Sequence, residues 1–532
     1  MGNRGRGIAG LSLVASTGLL GAYIGYPGLR KAHAATTCQV TSNGDNSTAP
    51  YTTGELRYCL DQVNTSGGGT ITFAESANGT ITLSDALPVV TVSSSVTITG
   101  NGADNTVIDG NNNNYAAFSF DGSGAASISG VKIQNAYATK GGAVYANGVD
   151  VNLSNSSFEG NYAQYGGAIY VDGTLTVTGS TFTSNNGYDQ GGAVFGDGTV
   201  TIAASTFTSN FTTAANDDGE GGAVYVLGEL SVSSSSFDYN DSEVGGALSV
   251  YGNATISDST FDTNNLSSDN FNLAGGAVYV GNATQSASLT VSGSIFTNNS
   301  ATATGVGKVY GGAVFVDGSA QLSDSRFDSN LVLSDTSKGG AVFTTGDVTT
   351  TRTTLESNSA VDGAGGAIYA LGNVVLRQST FSNNVGAPSA LGTTGTLFSQ
   401  NCTFTLNDSN AAIDGSTLYS VGDMTLDFTT IAGNTLGDSF PAARTDTGAV
   451  DVTNSVFWDN YETGFDTVYD IYSAGQLSAS HSLFSASSSV SPTVSGDTLI
   501  FGEDPLLGSL ADNGGPTQTM MPGAGSPVLG AA

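Results

Sequence analysis

Positive charge is scarce in this 532-residue chain: 13 Lys and Arg stand against 45 Asp and Glu, and only 11% of residues are charged. Such an acidic surface repels nucleic acids and anionic membranes, which excludes both as partners. Strong helix formers such as Lys, Arg and Glu are few, so a helical bundle is excluded as well. Cysteine is limited to Cys38, Cys59 and Cys402, without a CxxC pair, and there are two histidines. These counts leave no Cys/His metal cluster. There is no P-loop, no serine nucleophile elbow and no G-G-x-G-x-D calcium nonapeptide.

The N-terminus reads as an export signal. Arg4 and Arg6 precede an uncharged stretch from Ile8 to Leu29, followed by Ala32-His33-Ala34, a small-x-small cleavage pattern. The alternative is an uncleaved anchor, against which the Gly and Ser content of the stretch counts; no later stretch is long and apolar enough to cross a bilayer. Loss of residues 1–34 leaves nine basic and 45 acidic residues, a net charge of -36. In an exported chain the neighbouring Cys38 and Cys59 form a candidate disulfide, whereas Cys402 is expected to pack as a small apolar residue.

What the chain does have is glycine, 74 residues of it, within a repeat. "GGA" recurs at Gly141, Gly166, Gly191, Gly221, Gly245, Gly275, Gly311, Gly339 and Gly365. A second mark, Phe-x-x-Asn, runs from Phe158/Asn161 to Phe457/Asn460, with Leu355/Asn358 and Ile431/Asn434 in the same series. A third glycine lies nine residues before most of these Phe positions, as from Gly173 to Phe182, while the distance from Asn to the next "GG" varies from five to twelve. Half of the repeat is therefore locked and half is free.

The locked half alternates. In "GTLTVTGSTF", Leu175 and Val177 share one face and Thr174, Thr176 and Thr178 the other, the period of a half-buried strand. "AIYV" and the segment around "STFTSN" are two further short strands. Three strands and three corners in about 25 residues predict one coil of a parallel β-helix, right-handed by the crossover rule. The repeat predicts 13 to 14 such coils. Stacked Phe rings form an internal column, and stacked Asn amides bond to one another at a corner.

These residues resemble known families. "GGAIY" and "FTSN" are similar to the GGA(I/V) and FxxN repeats of the chlamydial polymorphic outer membrane proteins. "DPLLGSLADNGGPTQTMMPGAGSPVL" resembles the terminal segment of bacterial choice-of-anchor surface proteins, and "GELRYCLDQVN" followed by "GTITF" resembles their helical N-terminal cap and first strand. The resemblance implies an all-β right-handed parallel β-helix at the cell surface or outer membrane, adhesive in role. With the export signal and the repeat bounds, the chain divides into a signal peptide (1–34), an N-terminal cap with the first coils (35–120), the repeats (121–485) and a C-terminal coil or cap (486–532) that resembles the choice-of-anchor segment. The mode of attachment stays open.

Parallel β-helices also host polysaccharide lyases and hydrolases, which need carboxylates at a set separation and usually a nearby base. The mature chain has His481 and five dispersed arginines, and no acid–base cluster stands out. The expectation is a non-catalytic adhesin or structural rod; a polysaccharide-active enzyme is the alternative, and a passive matrix component the third reading. Two surfaces remain for binding. The variable corner carries acids, of which Asp217, Asp218, Glu220, Asp241 and Glu243 are candidate weak Ca²⁺ ligands. The residue after "GGAV" or "GGAI" is usually aromatic: Tyr145, Tyr170, Phe195, Tyr225, Tyr279, Phe315, Phe343 and Tyr369 are candidate ligand-binding residues, with Ser249 as the exception. With the aliphatics inward, these rings form an external stripe able to stack on a cell-surface glycan or protein. No other cofactor is expected.

Overall fold

The computed structural model describes residues 36–530 apart from 215–218, 269–272, 282–285, 304–306, 335, 362, 410–414, 463–468, 492–493 and 495. The expected signal peptide, Asp217 and Asp218 lie outside the described residues. From residue 35 onward the chain is one compact unit, an all-β right-handed parallel β-helix of about fifteen turns. That slightly exceeds the 13 to 14 coils of the repeat, because the first coils place Ile81, Ile108 and Ile133 where later coils have Phe and so lack the Phe-x-x-Asn mark.

One coil shows the plan. Ile169–Val171, Leu175–Thr178, Thr181–Thr183 and Asn186–Gln190 are its four strands. Each pairs in parallel with its counterpart one coil on: Ile169 with Val194, Leu175 with Val200, Phe182 with Phe207 and Asn186 with Phe211. Stacking builds a GGA sheet of 16 strands, an alternating sheet of 17 and a Phe sheet of 17. The variable half of the repeat adds a side sheet of nine strands. Its coils pair backbone to backbone even where loop length changes.

Alternation sends Ile169, Leu175, Val177 and Phe182 inward, where they are fully buried. The Phe rings from Phe158 to Phe327 form a continuous column with centroids 4.5–4.8 Å apart. At one corner stands an asparagine ladder from Asn161 to Asn460. In it Asn185 Nδ2 donates both to Asn210 Oδ1 (2.9 Å) and to the Phe158 carbonyl (3.0 Å), and the Asn185 backbone N–H also reaches Asn210 Oδ1 (3.1 Å). Each interior ladder amide thus has four partners out of reach of water: its oxygen accepts from the backbone N–H and the amide of the Asn one coil before, and its nitrogen donates to a carbonyl and to the Asn one coil on. Asp470 ends the ladder. Its buried carboxylate takes a side-chain hydrogen bond from Asn460 and further ones from Ser489 Oγ (2.6 Å) and the Ser485 backbone N–H (2.7 Å).

A second ladder occupies the opposite corner. Ser156, Ser180, Ser205, Ser235, Ser259, Ser294 and Ser325 each accept a backbone N–H from the coil before and donate to the carbonyl two residues earlier. Cys402 stands in this series, its Sγ 3.3 Å from the Gln400 carbonyl, so it is more than apolar filling. The residue before each ladder position adopts a left-handed conformation, as at Ser184 and Asn155. The "GG" mark has two separate causes. The first glycine has positive φ (Gly191, 65°), and a Cβ on the second, Gly192, would run into the Gly222 carbonyl of the next coil.

The helix Leu56–Ser66 packs Leu56, Cys59, Leu60 and Val63 into the first coils. Cys59 is disulfide-bonded to Cys38. Beside it Arg57 and Asp45 form a bidentate pair (2.8 Å) with both side chains 2% exposed. At the other end the tail does not remain over the last coil. Residues 507–522 form a hairpin, with Leu507 opposite Pro522 and Ala511 opposite Thr519, that runs back along the outside of the Phe sheet. There Thr380 Oγ1 donates to the Gln518 carbonyl (2.6 Å) and Thr517 Oγ1 to the Gln378 carbonyl (3.1 Å).

Candidate functional site

On the GGA sheet the aliphatics point inward: Val144, Ile169, Val194 and Val224 join the main core. The neighbouring rings therefore lie on the outer face. In exact register the column reads Tyr145, Tyr170, Phe195, Tyr225, Ser249, Tyr279, Phe315, Phe343 and Tyr369. It continues where the "GGA" mark has lapsed, through Gly392, Tyr419, Arg444 and Tyr472. The sequence reading missed these last members, since only register assigns them.

The rings do not form an open stripe along its length. They stack on one another, as Tyr170 on Phe195 at 4.7 Å and Tyr279 on Phe315 at 5.2 Å. Tyr225 is only 3% exposed. Where Ser249 interrupts the column, Tyr251 leans in to bridge Tyr225 and Tyr279. A second column, the residue just before "GG", covers the rings from the side. Lys140 lies 4.2 Å over the Tyr170 ring and Lys338 4.1 Å over the Tyr369 ring. Tyr165 meets Phe195 edge-on, and Tyr310 packs on Phe343. Ring faces here are occupied by the protein itself, and a ligand would meet mainly edges and hydroxyls.

Glu220 belongs to the covering column. Tyr251 donates to its Oε1 (3.0 Å), and Ser249 Oγ is 3.4 Å from Oε2. Burial, followed by the Glu220 charge, pushes the Tyr225, Tyr251 and Tyr279 hydroxyls well above the usual tyrosine range, so they remain protonated.

The other calcium candidates stand apart. Glu220 pairs in register with Gln190 and Val244, Asp241 with Phe211 and Asn265, and Glu243 Oε2 lies 3.4 Å from the Gly219 N–H. Among the described residues no three His, Cys, Asp or Glu side chains converge as a metal site would require. Arg352 is held by Asp324 (2.6 Å) and Arg326 by Asp328 (2.8 Å) and Glu356 (3.2 Å), while Arg377 donates to Gln400 Oε1 (2.6 Å). His481 lies in a cleft of about 370 Å³ between the Phe sheet and the tail. Among the described residues burial raises the Asp238, Asp241 and Asp470 carboxyls; Asp470, pushed up to about 6, takes hydrogen bonds from Ser485 and Ser489 at the end of the asparagine ladder. No helix among the described residues is long and apolar enough to cross a membrane.

At the C-terminal end of the column the surroundings change. Phe440, Arg444, Asp446, Tyr469 and Tyr472 line a cleft of about 400 Å³. Arg444 Nη2 donates to Asp446 Oδ1 (2.8 Å), and the Tyr419 hydroxyl to Asp446 Oδ2 (2.6 Å). Tyr472 is 43% exposed and Tyr469 37%.

Comparison with known proteins agrees on the fold. Residues 116–319 match the family described as the right-handed beta helix region. No curated protein matches the sequence. Among solved structures, the chain is similar to a mannuronic acid specific polysaccharide family 6 lyase enzyme from human gut microbiota, at 10% identity over 83% of this chain and 89% of that one, with a TM-score of 0.27. It is also similar to the PL6 family alginate lyase AlyGC, at 10% identity over 87% and 100% of the two chains, with a TM-score of 0.18. Likeness at this level assigns no activity or substrate to this chain.

Proposed function

We propose that this protein is an exported, cell-surface or extracellular β-helix that acts as a non-catalytic, glycan-binding adhesive rod. The observation that carries this reading is the outer column of the GGA sheet. Most of its rings between Tyr170 and Tyr369 are buried against their neighbours, but at its C-terminal end Tyr472 is 43% exposed beside a cleft of about 400 Å³ that Phe440, Arg444, Asp446 and Tyr469 also line. Aromatic rings with polar tips suit a ligand that is apolar on one face and hydroxylated at its rim. The rigid ladders beneath hold these groups in place, so little conformational freedom is lost on binding. The Cys38–Cys59 disulfide supports an oxidising compartment. Arg326 and Arg352 are each held by acids, and Asp470, the carboxyl pushed up to about 6, faces inward, which favours binding over acid–base chemistry.

The test is retention of residues 35–532 on a panel of immobilised neutral and acidic polysaccharides, with and without Ca²⁺. Retention on neutral glycans supports the reading, and failure to bind any of them refutes it. Retention that depends on Ca²⁺ would direct attention to Glu220, Asp241 and Glu243.

A further inference from the structure

The covering column beside the rings is in register through Lys140, Tyr165, Gln190, Glu220, Val244, Ala274, Tyr310, Lys338 and Ala364, each the residue before a "GG". It ends there, because the "GG" mark ends at Gly365. The ring column does not end with it. Tyr419, Arg444 and Tyr472 carry it over three further coils. The consequence shows in exposure: Tyr225 under the cover is 3% exposed, Tyr472 beyond it 43%. Arg444 lies over the Tyr419 ring, but Tyr472 is exposed, and the cleft of about 400 Å³ lies beside it, within the range of about 300–1,000 Å³ usual for small-ligand sites.

We propose that this cleft binds a pyranose unit of a neutral glycan, with the Tyr472 ring as the stacking platform and the Asp446 carboxylate as the acceptor for sugar hydroxyls. This deepens the glycan-binding reading above and rests on it. A pyranose offers a C–H face for the ring and hydroxyl donors at its edge. Asp446 is exposed at the rim, and its orientation is set from two sides by Arg444 (2.8 Å) and the Tyr419 hydroxyl (2.6 Å). A carboxylate held this way accepts without first losing rotamer freedom. The Arg444–Asp446 pair brings no net charge to the cleft, and the mature chain at -36 repels polyanions. Both facts select a neutral sugar over a uronate. Phe440, Pro441 and Ile471 supply the apolar part of the wall.

The probe is affinity electrophoresis of the mature chain through gels containing soluble starch, hydroxyethyl cellulose, xylan or galactomannan, with alginate and pectate as anionic arms. Tyr472→Ala and Asp446→Ala are each expected to weaken retardation by the preferred neutral polymer at least tenfold. Tyr472→Phe keeps the platform and is expected to stay within threefold of the parent. Tyr239→Ala, which removes an exposed ring elsewhere, leaves retardation unchanged. Thermal melts of all four verify folding. Retardation of the parent chain with Tyr472→Ala equally retarded overturns the site but leaves glycan binding standing. No retardation of the parent by any neutral polymer overturns both, and stronger retardation by alginate or pectate overturns the choice of a neutral sugar.

Discussion

Replacing Asn264 by alanine tests the asparagine ladder at its middle. Asn264 Oδ1 accepts from the Asn240 backbone N–H (3.1 Å) and from Asn240 Nδ2 (2.9 Å), while Asn264 Nδ2 donates to the Phe237 carbonyl (2.8 Å) and to Asn299 Oδ1 (3.0 Å). All of these groups are buried. The substitution leaves two donors and a carbonyl without the partner they have now. Each such orphan costs about 1–3 kcal/mol, so a loss of about 3–6 kcal/mol is expected after some relaxation. Because a solenoid couples chiefly nearest neighbours, the damage should be local before it is global. Amide exchange should accelerate first in the coils around residues 237–299, and the urea midpoint should fall. Thr176→Ala on the outer face serves as the control, expected within about 0.5 kcal/mol of the parent. A loss below about 1 kcal/mol for Asn264→Ala would refute the reasoning, and so would exchange that rises evenly along the chain.

Three other substitutions probe different supports. Gly192→Ala should destabilise by about 3 kcal/mol, because its Cβ meets the Gly222 carbonyl and cannot be accommodated by a side-chain shift; urea unfolding compares it with Gly515→Ala, which has room. Asp45→Asn should cost about 3–5 kcal/mol by leaving the Arg57 guanidinium buried without its carboxylate, read as a lower melting temperature of the N-terminal coils. Asp470 has a pKa raised from 3.8 to about 6 by burial, against the opposing hydrogen bonds of Ser489 and Ser485. The folded state thus binds the proton more tightly than the unfolded one. Its contribution is fullest below pH about 4 and declines by up to about 3 kcal/mol as pH rises to about 6. Asp470→Asn should remove that part of the slope, as measured by urea unfolding from pH 4 to 7, and an unchanged slope would count against the assignment.

The fold was legible because its causes repeat. Each coil needs an amide at one corner, a ring inside and two glycines where backbones close in, so one cause leaves nine or more marks in register. The serine ladder was less legible, although its members precede Phe at a fixed distance ("STF"), because serine is common throughout this composition. The external placement of the Tyr145-to-Tyr369 rings followed from alternation. Their burial did not, because Lys140, Tyr165, Tyr310 and Lys338 reach them from a corner of variable length where periodicity gives no guide. Arg444 looked like one of five scattered arginines until register set it between Tyr419 and Tyr472. The return of Thr517 and Gln518 to Thr380 joins segments some 140 residues apart, and no local pattern encodes it.

The central claim is that this rod binds glycan and leaves it intact. The most direct test incubates the mature chain with the polysaccharide that retains it best, and follows bound protein together with release of reducing and unsaturated ends in the same sample. The account predicts stable retention with no end release above the protein-free control. Ends that accumulate in proportion to protein concentration would contradict it and identify a polysaccharide-cleaving enzyme instead.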